Sequence, residues 1–127
     1  MRKIYIYTQD IMEKTFELIR QWAKERSLDV KGNPHTQYVK FQEEAGELAK
    51  ALLTDNREEI IDAIGDIVVV LTNLAHMKGL SIEDCIVTAY LEIKNRKGVM
   101  INGTFVKQTK DTDHIISGTE WEDILQK

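Results

Sequence analysis

The sequence predicts an all-α fold: a four-helix core, then a small C-terminal β-hairpin and a short terminal helix. Apolar residues recur at helical spacing over four segments, capping residues stand where several of these segments begin, and an Asn-Gly pair separates two short apolar runs. The chain has 127 residues, a length that suits a single domain. We expect the core at about 8–98 and the hairpin and tail at 99–127.

The first predicted helix begins after Thr8, a good capping residue, and runs to about Ser27. Its apolar residues fall in two adjacent rows at spacings of three and four residues. The preceding IYIY, residues 4–7, is either a short strand or an ordered lead-in to the helix. The segment KGNPH, residues 31–35, breaks the pattern and contains the only proline.

The second helix is predicted at about 36–54, and the third begins after Asn56 and ends at Lys78-Gly79. The β-branched run DIVVVLT within the third segment would also suit a buried strand. Its apolar pattern, however, continues from residue 60 to residue 75 without a turn signal. That is too long for a typical strand, so we interpret it as a helix.

The fourth helix is predicted to begin at Ser81, which forms a capping box with Asp84, and to end at Gly98. The pair Asn102-Gly103 inside VMINGTFV is the strongest short-range signal for a hairpin. The rest of the chain is predicted to be a polar linker at 107–118 and a last short helix capped by Thr119.

Composition and charge exclude several classes of function. The net charge is −4, the pI is about 5.4 and no basic stripe is present, so we expect no nucleic-acid partner. One cysteine, Cys85, cannot form an internal disulfide, which indicates a reducing compartment, the cytoplasm. The N-terminus lacks the apolar segment of a signal peptide, and no apolar run approaches the ~20 residues that cross a bilayer. We therefore expect no membrane partner.

The third helix carries an acidic stripe on an otherwise apolar surface. Glu59, Asp62 and Asp66 fall within about 60° of one another, and Asn73 joins them two turns further on. A helix that is apolar nearly all round is a buried helix. The stripe is therefore expected in or beside the packed interior, where the charge of a carboxylate must be compensated.

The second helix carries Glu43, Glu44 and Glu47 within about 100° of one another. Such a face on an isolated helix usually meets water. Here the second and third helices are joined by a short link and would pack side by side, so that four or five carboxylates converge. Like charges that close repel unless cations intervene, and oxygen ligands suit Mg²⁺ or Mn²⁺. A divalent metal site between these helices is therefore predicted.

Other metal centres fit the sequence poorly. A di-iron bundle needs a Glu-x-x-His motif, and none of the three histidines has Glu three positions before it. Zinc is also poorly supported, because one cysteine and three scattered histidines offer no recognised ligand spacing.

The segments QEEAGELAKAL and EEIIDAIGDIVVVL, together with WAKER, EIKNRKG and NGTFVK, resemble the MazG-like nucleoside triphosphate pyrophosphohydrolases of the all-α NTP pyrophosphatase superfamily. The resemblance covers about residues 22–107. It implies an Mg²⁺-dependent hydrolase that cleaves nucleoside triphosphates to the monophosphate and pyrophosphate by attack of water at the α,β-phosphoanhydride. It also implies a homodimer or a homotetramer built as a dimer of dimers.

The family pattern is Glu-Glu-x-x-Glu on one helix and Glu-x-x-Asp on the next. By this resemblance Glu44 and Glu47 are metal ligands and Asp66 is the aspartate ligand of the second motif. Glu43 matches the leading glutamate, and it or a non-ligating carboxylate would accept the proton of the attacking water.

The sequence departs from the family at one ligand position. Three residues before Asp66 stands Ala63, where the family commonly has Glu. Asp62, one position earlier, points to the same side as Asp66, because residues four apart share a helix face. We therefore assign Asp62 the fourth ligand position.

Lys94, Asn95 and Arg96 resemble the segment of the family that contacts phosphate; the alternative is a solvated, positively charged helix end. Lys40 either steadies phosphate or pairs with a glutamate one turn away. Trp22 either stacks on the base or packs in the core.

A different class of function also fits. Because of Ala63, the chain could be a catalytically weak helical module that senses nucleotides or docks on a partner. Release of pyrophosphate from a panel of nucleotides separates this alternative from the enzyme. Neither the base, the sugar nor the biological role follows from the residues.

Overall fold

The structure, a computed structural model, describes residues 9–109. It contains five helices and a two-stranded hairpin, which confirms the predicted fold class. The helices are α1 (Gln9–Glu25), α2 (Leu28–Lys31), α3 (Pro34–Leu53), α4 (Arg57–Met77) and α5 (Ile82–Ile93), and the strands are β1 (Gly98–Ile101) and β2 (Thr104–Lys107). The predicted lead-in at 4–7, the Thr8 cap, most of the linker and the helix after Thr119 lie outside the described residues.

The contacts divide the chain into two compact units, with the boundary between Cys85 and Ile86, inside α5. In the first unit, α3 and α4 form the most extensive helix pair, and α1 and α2 both pack against α4. The short link after Leu53 forces α3 and α4 to run side by side in opposite directions. Asp55 in this link adopts a left-handed conformation with φ 50°.

The core of the first unit is built largely from small side chains. The buried apolar residues are Ala23, Ala51, Ala63, Val70, Ala75 and Ile82. Small residues let helix backbones approach closely and leave little room for cavities. Thr72 is fully buried and satisfies its hydroxyl by donating to the carbonyl of Val68 at 2.7 Å. This interior holds α4 at the centre of the unit.

Side-chain caps mark where three helices begin, and two of these caps were predicted. The side chain of Asn56 accepts a hydrogen bond from the backbone N–H of Glu59 at 3.2 Å, and Ser81 does the same for Asp84 at 3.1 Å. The second predicted helix begins earlier than expected, at Pro34, because Asn33 caps it and proline is favoured in the first turn. The short helix α2 was not predicted.

The second unit contains the rest of α5 and the hairpin. β1 and β2 pair antiparallel, and the predicted turn residues Asn102 and Gly103 adopt positive φ angles of 49° and 78°. These angles are typical of a tight hairpin turn. The prediction that the fourth helix ends at Gly98 was wrong: α5 ends at Ile93, where the apolar periodicity stops, and Gly98 is the first residue of β1.

Helix α4 corrects the expectation that no segment is long and apolar enough to cross a bilayer. Its most apolar 18-residue stretch has a mean hydropathy of 1.6, so its length and composition alone would suffice to cross a membrane. A mostly buried core helix of a water-soluble protein passes the same test; of this stretch of α4 28% is buried, and the helix packs against α1, α2 and α3. The absence of a membrane partner stays a prediction.

An ion pair joins α1 to the first turn of α5 within the first unit. Both terminal nitrogens of Arg20 donate to the carboxylate oxygens of Glu83, each at 2.7 Å, and Arg20 also pairs with Glu17. The Arg20 side chain is 12% exposed and that of Glu83 is 40% exposed. The hydrogen bonds from Arg20 hold the pKa of Glu83 below its usual value and, conversely, raise that of Arg20.

Glu83→Gln is expected to lower the free energy of unfolding at pH 7 by about 1 kcal/mol, because bidentate charge-assisted bonds are strong but this pair is partly solvated. The pKa of Glu83 is lower in the folded state than in the unfolded state, where it is 4.5. The ionised carboxylate therefore stabilises the fold fully at pH values above 4.5. This stabilisation is lost as the pH falls through the pKa of the folded state. Urea unfolding at pH 7 and pH 3 should show a smaller difference at pH 3 than at pH 7. The exposed control Glu25→Gln should change little at either pH, and a pH-independent effect of Glu83→Gln would contradict the assignment.

Candidate active site between two helices

An acidic pocket lies between α3 and α4. Its volume is about 390 Å³, and its lining residues are Glu47 and Lys50 from α3 and Glu59, Asp62, Ala63 and Asp66 from α4. Four carboxylates and one ammonium group thus face one space. Such an excess of negative charge favours the binding of cations.

The helix geometry explains why these residues meet. The Asn56 cap sets the start of α4, and Glu59, Asp62 and Asp66 then follow on one face at spacings of three and four residues. The short link to α3 brings Glu47 opposite this face. The structure therefore brings Glu47, Asp62 and Asp66, all three predicted as ligands, to the lining of one pocket.

Glu44 lies one turn before Glu47 and is only 7% exposed. One of its carboxylate oxygens lies 3.7 Å from the Lys40 ammonium, and the other, Oε2, is buried with no hydrogen-bond partner among the described residues. A buried carboxylate oxygen without a partner is costly. Glu44 is not among the residues that line the acidic pocket.

Glu43, the predicted proton acceptor, is exposed and does not line the acidic pocket. Its carboxylate lies 3.2 Å from the Lys40 ammonium. The hydrogen bond to Glu43, followed by the nearby charges of Glu43 and Glu44, raises the pKa of Lys40. Lys40 therefore pairs with both glutamates, the second of the two roles considered for it.

The residues present fit a hard divalent cation in their chemistry. All the candidate donors are carboxylate oxygens, the ligands that Mg²⁺ and Mn²⁺ prefer, and Glu44 Oε2 lacks a partner within residues 9–109. In that same range, no three Asp, Glu, His or Cys side chains stand close enough together to hold an ion as they are placed. The carboxylates would have to converge further to coordinate one.

Two pocket residues had no role assigned from the sequence. Glu59 belongs to the acidic stripe of α4, so its spacing from Asp62 and Asp66 could have identified it as a site residue from the sequence. Lys50 borders the glutamate face of α3 and supplies the one positive charge among the lining residues. An ammonium group there suits contact with a phosphate oxygen.

Trp22 lines a second cavity of about 310 Å³ in the first unit. The other lining residues are Thr15, Leu18, Ile19 and Val69, and almost all of the surface is apolar. Trp22 is 45% exposed, and the Arg26 guanidinium lies 4.4 Å from the centre of its ring. Trp22 is therefore only partly packed.

Lys94, Asn95 and Arg96 follow α5 instead of lying within its last turns. Asn95 and Arg96 line a pocket of the second unit, whose other lining residues are Glu92, Lys97, Lys107 and Gln108. Lys94 does not line it. Of the predicted segment, the structure thus brings two residues to a common pocket.

Comparison with known proteins agrees with the resemblance. A family model described as phosphoribosyl-ATP pyrophosphohydrolase matches residues 10–90. The chain is 36% identical over 64 residues to an uncharacterized 18.2 kDa protein in the rep-hol intergenic region of Haemophilus phage HP1. This match covers 50% of the chain and 39% of the phage protein. No solved structure matches the chain significantly.

Proposed function

Because the chain belongs to the phosphoribosyl-ATP pyrophosphohydrolase family, within the MazG-like superfamily, we propose that it hydrolyses nucleoside triphosphates, canonical or modified, to nucleoside monophosphate and pyrophosphate. Membership supports a nucleotide pyrophosphohydrolase activity in general. The triphosphate substrate and the dependence on Mg²⁺, or Mn²⁺, are our proposal.

The acidic pocket is the observation that carries this proposal. Its carboxylates come from two rigid helices that pack side by side, so their positions depend on the core and not on a loop. A catalytic constellation on packed helices is held more closely than one on loops. Substrate phosphates carry the same negative charge as the pocket, so a cation must bridge the two.

The roles follow from position and charge. Mg²⁺ bound there would neutralise phosphate charge and lower the pKa of a water molecule. Glu47, Asp62 and Asp66 would hold the cation, and Glu44 would complete the set by turning its unpartnered oxygen toward it. Lys50 would contact a phosphate oxygen and orient the phosphate chain.

Two carboxylates are candidates for the proton acceptor. Glu43 matches the leading glutamate of the family motif, although it is paired with Lys40. Glu59 lines the acidic pocket itself and is not required as a ligand by the family pattern. Because a general base must lie within hydrogen-bond reach of the water, position favours Glu59.

Glu59→Gln should then lower kcat more than Glu43→Gln, and the reverse ranking would assign the role to Glu43.

The nucleotide base would occupy the apolar cavity beside Trp22. Aromatic faces stack on bases, and the apolar lining offers few groups that would discriminate one base from another. We therefore propose broad base selectivity. Trp22→Ala should raise KM for several nucleotides alike, and an unchanged KM would remove Trp22 from the site.

A substrate panel tests the proposal. Pyrophosphate release should be measured with Mg²⁺ for canonical and modified nucleoside triphosphates and for phosphoribosyl-ATP, the compound in the family's name. Turnover of one or more triphosphates supports the proposal. Turnover of phosphoribosyl-ATP alone would contradict the substrate class, and nucleotide binding without turnover would favour the sensing module.

Mg²⁺ is expected to raise the melting temperature by roughly 10 °C at a hundredfold excess over its dissociation constant. A ligand that binds only the folded state stabilises it by mass action, by about 2.7 kcal/mol at that excess. Differential scanning calorimetry in Mg²⁺ and in chelator measures the shift. An equal shift in the Asp66→Asn variant would show that the ion binds elsewhere.

We also propose that the chain forms a homodimer or a homotetramer. Only 28% of the most apolar stretch of α4 is buried within the chain. Ile61, Ile64 and Val68 on α4 are exposed, as is Leu53 at the end of α3. Ile61, Ile64 and Val68 are three and four residues apart and so share one helix face, and an exposed apolar face usually marks an interface. Light scattering should report at least twice the 14.7 kDa chain mass, and a monomer at micromolar concentration would contradict it.

A further inference from the structure

Helices α3 and α4 each carry one glycine in their interior, directly before a residue that lines the acidic pocket. Gly46 precedes Glu47, and Gly65 precedes Asp66. Both glycines are exposed. A Cβ added to either would meet no atom of the described residues within 4 Å, apart from its chain neighbours and the backbone of its own helix. Neither a turn nor a close contact within the described part of the chain therefore requires glycine at these positions.

The two glycines weaken the helices that contain them. Glycine in the interior of a helix is less stable than alanine, because glycine loses more conformational freedom when the chain folds. Alanine would fit at both positions without a clash. Each helix therefore has one point at which its regular geometry is less strongly preferred, and this weakness is not a consequence of packing among the described residues.

The two weak points lie at the same level of the helix pair. Gly46 lies seven residues before Leu53, the last residue of α3. Gly65 lies eight residues after Arg57, the first residue of α4. Because the helices run in opposite directions from their short link, each glycine is roughly 10–12 Å from the linked end of the pair. A bend at both points would therefore act as one hinge across α3 and α4.

This hinge divides the four proposed ligands into two pairs. Glu47 and Asp62 lie on the side of the link, and Glu44 and Asp66 lie on the far side. In the range 9–109 no three candidate side chains stand close enough together to hold an ion as they are placed. Mg²⁺ requires its oxygen ligands at about 2.1 Å. A bend toward the pocket would bring the far pair closer to the pair beside the link.

The packing of α3 allows this motion. Only Glu44 and Ala51 are buried in α3, and Ala51 lies on the side of the link, where Ala63 of α4 is buried as well. The far arm of α3, residues 34–45, therefore buries Glu44 alone. A segment with few buried contacts moves at low cost. The Oε2 atom of Glu44, which has no hydrogen-bond partner among the described residues, would gain one in a bound cation.

We propose that Gly46 and Gly65 are positioning residues that let α3 and α4 bend, so that the acidic pocket closes on a divalent cation. The identity of the ion rests on the proposed function. The inference adds the means by which the two helices bring their carboxylates to that ion.

Calorimetric titration with Mg²⁺ and with Mn²⁺, in the absence of nucleotide, tests the proposal. Gly46→Ala and Gly65→Ala should each raise the melting temperature in chelator by about 4 °C. Each should also weaken ion binding roughly fivefold, because the preference of alanine for the regular helix opposes the bend. If the variant with both substitutions binds the ions as tightly as the parent, the proposal is wrong.

A relocated glycine separates the hinge from stability. The variant Gly46→Ala with Ala49→Gly keeps the composition of the parent and moves the glycine to an exposed position beyond Glu47, where it no longer lies between the two ligand pairs. Its melting temperature in chelator should return to that of the parent, while its ion affinity should stay roughly fivefold weaker. Recovery of the affinity together with the melting temperature would contradict a hinge at Gly46.

Spin labels at Thr36→Cys and His76→Cys, in a Cys85→Ser background, report the distance between the far arms of the two helices at exposed positions. Mg²⁺ should shorten this distance in the parent and leave it unchanged when both glycines are replaced by alanine. An unchanged distance in the parent would overturn the proposal.

The outcomes also separate the hinge from the proposed function. Turnover of triphosphates by the parent, with unaltered ion affinity of the double alanine variant, overturns the hinge alone. Weaker ion binding by that variant, with no turnover by the parent, supports the hinge and contradicts the proposed function. If Gly65→Ala lowers the molar mass in light scattering and leaves ion affinity unchanged, the glycine serves contact between chains and the hinge is wrong.

Discussion

Asp66→Asn is expected to lower turnover by at least about a hundredfold while leaving the fold intact. Asp66 lines the acidic pocket and matches the aspartate of the second family motif. Mutating an outer-shell partner of a metal ligand already lowers metal affinity or activity roughly 10- to 100-fold. Loss of a direct ligand should therefore lower activity further. The amide of asparagine is nearly the same size as the carboxylate of aspartate. The substitution therefore removes the charge and changes the shape of the side chain very little.

The same variant should be at least as stable as the parent when no metal is present. Removing one of four carboxylates relieves repulsion in the acidic pocket. Steady-state rates in Mg²⁺ and melting curves in chelator check both expectations. Asp55→Asn makes the same chemical change at an exposed residue of the α3–α4 link, where asparagine tolerates the positive φ, and should be silent. Normal turnover of Asp66→Asn would remove Asp66 from the site.

Asp62→Ala is expected to lower turnover about as much as Glu47→Ala, because both side chains line the acidic pocket. If two ions act together, loss of a ligand to either one disables the pair. Ala63 lines the same pocket but is 3% exposed. Ala63→Glu alone should therefore impair the protein, since it adds a carboxylate at a buried position beside Asp62.

The combination Asp62→Ala with Ala63→Glu is expected to recover part of the activity, because it restores the Glu-x-x-Asp spacing common in the family. Steady-state rates of the parent, the two single variants and the double variant at saturating Mg²⁺ show whether the double variant regains activity relative to Asp62→Ala. A silent Asp62→Ala would indicate that Asp62 is not a ligand. It would leave the assignments of Glu44, Glu47 and Asp66 standing.

The parts of the fold that depend on local chemistry were predictable from the sequence. Asn56 and Ser81 cap their helices as expected, and Asn102-Gly103 forms the predicted turn. Each of these signals acts over a few neighbouring residues, so no knowledge of the packing is needed to interpret it. The acidic stripe of α4 was predictable for the same reason, because one helix sets its spacing.

The features that the sequence did not reveal depend on contacts between separate elements. The exposure of Glu43 depends on which face of α3 packs against α4. The pocket of the second unit that Asn95 and Arg96 line depends on the hairpin register, which places Lys107 opposite Gly98. The end of α5 was misplaced because Gly98 was interpreted as a helix terminator, although it begins a strand.

Hydrolysis of a nucleoside triphosphate in ¹⁸O-labelled water, followed by ³¹P NMR, tests the central claim most directly. We expect pyrophosphate and nucleoside monophosphate in equal amounts, with the label in one product at the cleaved bond, and no reaction in excess chelator. Glu47→Gln should reduce both products together, because Glu47 lines the acidic pocket. Release of orthophosphate from the γ position, or undiminished hydrolysis in chelator, would contradict a metal-dependent pyrophosphohydrolase.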